Sequence, residues 1–249
     1  MITPDGYLLL VAVGVIALVA GFIHSAVGFG FGIVAVTLLP WVIDVEQTHV
    51  VTSTASVPVL MMATWAYRRG ADFQSLRQAL IAAAICLPLG LFAFERMPND
   101  LLVRATGIAV LAMVFQSFRN RRYSAGSSSK TGSAWLAGGF AGFLAGAVSI
   151  AGPPIAAFAL QQHWPQVRFK AFVNQFLLAV SIYKVLGLSV RGFIDSTVLY
   201  QVALIAPLAI IGIQLGARES QNLSAQSYQR FVAAALILLA CYFLLRGAG

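Results

Sequence analysis

Few residues in this chain can do chemistry, and most of them interrupt apolar runs. Hydroxyls cluster at Thr52-Ser53-Thr54 and Ser56, and amides at Asn174-Gln175. One hydroxyl, Ser149, stands just before Ala151-Gly152-Pro153-Pro154, and a second Gly-rich interruption runs Gly28-Phe29-Gly30-Phe31-Gly32. Two ionisable side chains, His24 and Lys184, lie in equally apolar surroundings. Polar groups inside apolar helices are costly and tend to mark function. Hydroxyls, amides, a lysine and the unpaired N–H groups of a broken helix are all donors. Collected without carboxylates, they suit an anion. The candidate ligand-binding residues are therefore Gly28, Gly30, Gly32, Ser53, Thr54, Ser149, Ala151, Gly152, Asn174 and Gln175. His24 and Lys184 are candidates for a proton or charge role.

Each has a plainer alternative. Small residues let helices approach closely, and hydroxyls and amides join helices by hydrogen bonds. Lys184 falls late in its run, which favours snorkelling to the interface. His24, whose ordinary pKa is about 6.5, relays a proton, contacts substrate or simply packs between helices. His49 and His163 fall near segment ends and read as interfacial. The histidines have no cysteine or carboxylate partners nearby, so no metal site is expected. Cys86 and Cys241 lie in apolar runs and read as packing residues. No phosphate-binding loop, Gly-x-Ser-x-Gly or His-Glu-x-x-His is present, so neither an ATPase nor an enzyme is expected, and no cofactor. The Gly28–Gly32 string lacks a βαβ context and is not a dinucleotide fingerprint.

The elements that must position these residues are membrane helices. Of 249 residues, 59% are hydrophobic and only 10% charged, with a mean hydropathy of +0.85. A soluble domain is about 45–50% apolar and about 25% charged, so this composition needs lipid around it. A span takes about 20 apolar residues, and the chain accommodates about 8–10 membrane segments in an all-α, polytopic fold. Apolar runs fall at 7–23, 28–40, 50–67, 78–94, 101–118, 134–150, 153–163, 171–190, 197–217 and 228–246. The net charge of +8 lies in short loops, as topology signals do, rather than in a patch for nucleic acid.

The two short runs, 28–40 and 153–163, follow the two interruptions. Gly21-Phe22-Ile23-His24-Ser25-Ala26-Val27-Gly28 aligns with Gly142-Phe143-Leu144-Ala145-Gly146-Ala147-Val148-Ser149, identical at four of eight positions at an offset of 121. Pro88-Leu89 and Pro207-Leu208 repeat at an offset of 119. The matches predict two repeats, 1–118 and 134–249, joined by a basic linker at 119–133. Positive charge places that linker and the Arg68, Arg69 and Arg77 loop in the cytoplasm, with Asp44 and Glu46 outside. Arg168 and Lys170 place the equivalent second loop inside. The repeats are thus expected to be inverted, each with a broken helix or re-entrant hairpin. Such transporters bind substrate near the midplane between equivalent broken helices.

The stretch from Gly21 through Leu39-Pro40 resembles the TauE/SafE family of sulfite exporters. So does its counterpart, Gly138-Gly139-Phe140-Ala141-Gly142 through Gly152-Pro153-Pro154. Here phenylalanines alternate with Gly28, Gly30 and Gly32, where the family often has consecutive glycines. The resemblance implies a multi-pass permease of the bacterial inner membrane that exports sulfite or an organosulfonate such as sulfoacetate. Its partners would be a small anion and the lipid bilayer, with proton coupling and a homodimer left open. A non-transporting assembly partner and a permease for another small solute are the alternatives.

Overall fold

A computed structural model describes residues 4–67, 70, 72–96, 133–162 and 164–220, together with residue 111 and scattered residues from 224 to 245. Among them are eight α-helices and one 3₁₀ turn. These are α1 (Pro4–Val27), α2 (Phe31–Leu38), the 3₁₀ turn Leu39–Trp41, α3 (Val45–Ala66), α4 (Phe73–Arg96), α5 (Ala134–Val148), α6 (Gly152–Gln161), α7 (Gln166–Val190) and α8 (Ser196–Ser220). Phe73–Ala93, Gln166–Val190 and Ser196–Arg218 are long and apolar enough to cross a membrane. The expected runs at 101–118 and 228–246, and the linker at 119–132, lie outside the continuously described residues.

Helices α3, α4 and α7 start about a turn earlier than the apolar runs indicate. The added residues are polar: Glu46, Gln47, Thr48 and His49 on α3, and Gln166, Arg168 and Lys170 on α7. Hydropathy stops at the first charges, whereas the backbone bonds continue into them. Capping marks the true starts. Asp72 accepts from the Ser75 N–H at 3.1 Å and Asp195 from the Val198 N–H at 2.8 Å. Pro58, Pro88 and Pro207 are accommodated inside α3, α4 and α8.

Close glycine contacts set the packing. A Cβ on Gly138, Gly142 or Gly146 of α5 would strike the α4 backbone at Ala79, Ala83 and Leu87 in turn. The two helices therefore run parallel. Gly212 and Gly216 of α8 meet the α1 backbone at Leu18 and Phe22 in the same way, also parallel. Helices α3 and α7 run in opposite directions. His49 shares Ser149 with Lys184 near one end of the pair, and Lys170 lies 5.3 Å from the Tyr67 ring at the other.

Two apolar cores result. One joins α4, α5, α6 and α7, and the other joins α1, α2, α3 and α8. Outward faces carry exposed Val15, Ile85, Leu89, Leu186, Leu199 and Leu215, as lipid contact requires. Cys86 is half-buried against α5 at Gly139, and Cys241 is exposed rather than packed in a core.

Candidate functional site

The two interruptions meet between the cores. In the first, α1 ends at Val27, Gly28 has φ 97°, and Gly30 has φ 125° at the start of α2. A side chain at either angle would clash with its own backbone, so glycine is required there. In the second, Ser149 ends α5 at φ 59°, the one positive φ outside glycine among the described residues. Pro153 and Pro154 then open α6, where their missing N–H groups break no helical bond.

Each break frees a carbonyl of the last turn, and a buried lysine of α7 takes it. The Ser149 N–H turns to the Leu144 carbonyl, leaving the Ala145 oxygen to accept from Lys184 Nζ at 2.7 Å. At the first break the Ser25 oxygen accepts from Lys170 Nζ, also at 2.7 Å. The two lysines stand fourteen residues apart, close to four helical turns, and so on one face of α7. A cation at a helix C-terminus also meets the negative end of the dipole.

The remaining bonds differ. At the first break, Asn174 donates from Nδ2 to the Lys170 carbonyl at 2.7 Å and presents Oδ1 to His24 Nε2 at 2.8 Å. This orientation makes His24 Nε2 the donor, and Nδ1 accepts from the Phe31 N–H at 3.4 Å. Both imidazole nitrogens are thereby engaged. At the second break, Lys184 also donates to Ser149 Oγ at 2.7 Å, and Ser149 Oγ lies 3.0 Å from His49 Nδ1 and 3.4 Å from Ser53 Oγ. Ser53 itself donates to the His49 carbonyl at 2.7 Å.

Beside this chain lies a cavity of about 50 Å³. On the scale where one water occupies about 10–15 Å³, it suits a small ion. Gly30, Gly32, Ser53, Ser149, Ala151 and Gly152 line it, as do His24 and Lys184. Ser56 and Ser181 add hydroxyls, and no carboxylate lines it among the described residues. Ala151 and Gly152 stand at the start of α6, where a helix leaves its first N–H groups without an intrahelical acceptor.

Four of the anticipated residues stand away from the lining. Gly28 shapes the turn. Asn174 sits behind His24. Thr54 donates to the Val50 carbonyl at 2.8 Å on another side of α3. Gln175 is half-buried and points off the cavity face of α7.

Three expectations need correction. Lys184 does not snorkel: it is 5% exposed and bonded inside the protein. His49 is not interfacial but buried at 6%, because α3 begins a turn before it. Lys170 is not a loop residue, since α7 already covers it and its exposure is 0%. His163 lies outside the described residues. Sequence reading missed His49 and Ser181 as site residues. The available signal was spacing, since His49 is one turn before Ser53 and Ser181 nearly one turn before Lys184.

Outside the membrane region, Asp72 pairs with Arg168 at 2.7 Å, the one salt bridge among the described residues. The Ser75 hydroxyl and N–H, with the Arg168 guanidinium, hold the Asp72 carboxyl below its ordinary value.

An all-helical membrane protein with a donor-lined, carboxylate-free cavity between two broken helices belongs to the class of solute permeases. The family model described as Sulfite exporter TauE/SafE matches residues 13–243, most of the chain, and the protein belongs to that family of membrane transporters for sulfite and related anions. No curated protein and no solved structure matches it.

Proposed function

We propose that this protein is a secondary transporter that exports a small sulfur oxyanion, binding it in the cavity between the two breaks. The observation that carries this reading is Lys184, a buried amine with no carboxylate among the described residues that line its cavity. Buried charge needs a counter-charge, and here a ligand would supply it. Ala151 and Gly152 would donate to the anion from the positive end of α6, with Ser53 and Ser149 beside them. The cavity's size favours sulfite over the longer sulfoacetate.

Transport follows from alternating exposure of this site. The parallel pairs α1–α8 and α4–α5 and the opposed α3 and α7 support two inverted repeats, 1–118 and 134–249, joined by a cytoplasmic linker at 119–133. Such repeats can rock about a fixed site in a bacterial inner membrane. A non-transporting assembly partner has no need for a polar cavity closed by two breaks.

A thermal-shift panel on detergent-purified protein tests the reading. Sulfite, sulfate, thiosulfate, sulfoacetate, taurine and matched carboxylates are compared. A ligand of the folded state raises the melting temperature by mass action. Selective stabilisation by sulfite or a sulfonate, lost in Lys184→Gln, is expected. Stabilisation that persists in Lys184→Gln would place the anion elsewhere.

A further inference from the structure

The hydrogen bonds around Lys184 count protons. Its Nζ has two protein acceptors, the Ala145 carbonyl and Ser149 Oγ, both at 2.7 Å. A neutral amine has two N–H donors and an ammonium has three. The two acceptors therefore take both N–H groups of the neutral amine, and its lone pair, or the third proton of the ammonium, has the cavity as its outlet. With no counter-charge among the described residues around it, an empty, buried ammonium is strongly disfavoured. An ammonium facing an anion is not.

From this match the geometry points to proton co-transport: each anion enters the cavity together with one proton that resides on Lys184. The inference rests on the anion-site reading above. The step balances simply, as the amine lone pair takes one proton from water, the new N–H points at the anion, and release returns both. No other bond changes.

Among the described residues, the groups around the cavity leave Lys184 as the carrier. From α3 it is faced by His49, reached through Ser149, whose Oγ accepts from Lys184 at 2.7 Å and lies 3.0 Å from His49 Nδ1. Helices α5 and α6 contain no titratable side chain. Helix α4 turns Cys86 toward Gly139 and holds Arg96 over the Phe92 ring at 4.0 Å. His24 of α1 lines the cavity, but its two nitrogens are bound to Asn174 and the Phe31 N–H. The His49–Ser149–Lys184 line is a hydrogen-bonded route by which a proton can reach or leave the amine.

Proteoliposomes holding an internal pH dye, with outward gradients of sulfite or sulfoacetate and protein-free vesicles subtracted, test the proposal. Wild-type protein is expected to move one proton with each anion. Its anion affinity should fall about tenfold per pH unit once the amine is neutral. In Lys184→Arg, which stays charged, the anion flux that remains should move no proton, and the variant's affinity should be flat with pH. Anion flux without proton movement in wild-type protein would overturn co-transport and leave the anion site standing. Unchanged proton coupling in Lys184→Arg would overturn Lys184 as the carrier. Absence of flux for both anions, from protein of wild-type melting temperature, would remove the anion reading itself.

Discussion

The two breaks have the same origin in helix interruption, yet they end in different chemistry. At the Gly28–Gly30 break the protein answers its own groups: His24 takes the Phe31 N–H, Asn174 holds His24, and Lys170 takes the Ser25 carbonyl. At the Ser149–Gly152 break, Lys184 likewise takes a last-turn carbonyl, but Ala151 and Gly152, at the start of α6, line the cavity. One break is closed by polar side chains and serves as an anchor. The other is left incomplete, and a ligand can complete it.

That contrast can be broken by exchanging effects between the two sites. The largest expected effect is on binding at the second break. Lys184→Met should weaken sulfite binding about 10–100-fold, the worth of one hydrogen bond to a charged group, and, because it leaves the Ala145 carbonyl unpaired, should also cost about 1–3 kcal/mol of stability. Isothermal titration checks this. Lys170→Met should lower stability without weakening binding. It leaves the buried Ser25 carbonyl unpaired and costs about 1–3 kcal/mol of stability, with sulfite affinity changed less than threefold. If Lys170→Met abolished binding while the fold held, the first break would be a ligand site too.

Asn174→Ala comes next. It unpins His24 and should cost about 1–2 kcal/mol, read as a lower melting temperature, with transport reduced in proportion to folded protein. A collapse of transport at full stability would instead put Asn174 in contact with substrate. The smallest effect belongs to Asp72→Asn, at an exposed ion pair worth about 0.2–1 kcal/mol. Because the Asp72 carboxyl is held below its ordinary value, its contribution is present above the ordinary carboxylate range and lost as pH falls through the lowered value. Melting curves of wild type and Asp72→Asn should therefore converge at acidic pH and separate near neutrality.

Much of the architecture was legible before any coordinates. Apolar runs located the helices, Gly28–Gly32 and Gly152-Pro153-Pro154 located the breaks, and the glycines at 138, 142 and 146 follow the spacing of a close helix contact. These are local properties: a glycine with positive φ or a proline at a helix start carries its reason in its own backbone.

The facing of side chains was not legible. Gln175 and Asn174 are neighbours in the chain, yet one turns off the cavity face and the other holds His24. Lys184 reads as a snorkelling cation until α5 is seen to offer it a free carbonyl, and His49 reads as interfacial until Ser149 is found 3.0 Å away. By itself the sequence determined that the chain lives in lipid, that its helices are broken at two matched places, and that donors outnumber carboxylates there. Only the tertiary structure decided which donors share one cavity. A residue's partner across a hundred positions is set by helix direction and packing, and no local pattern encodes that.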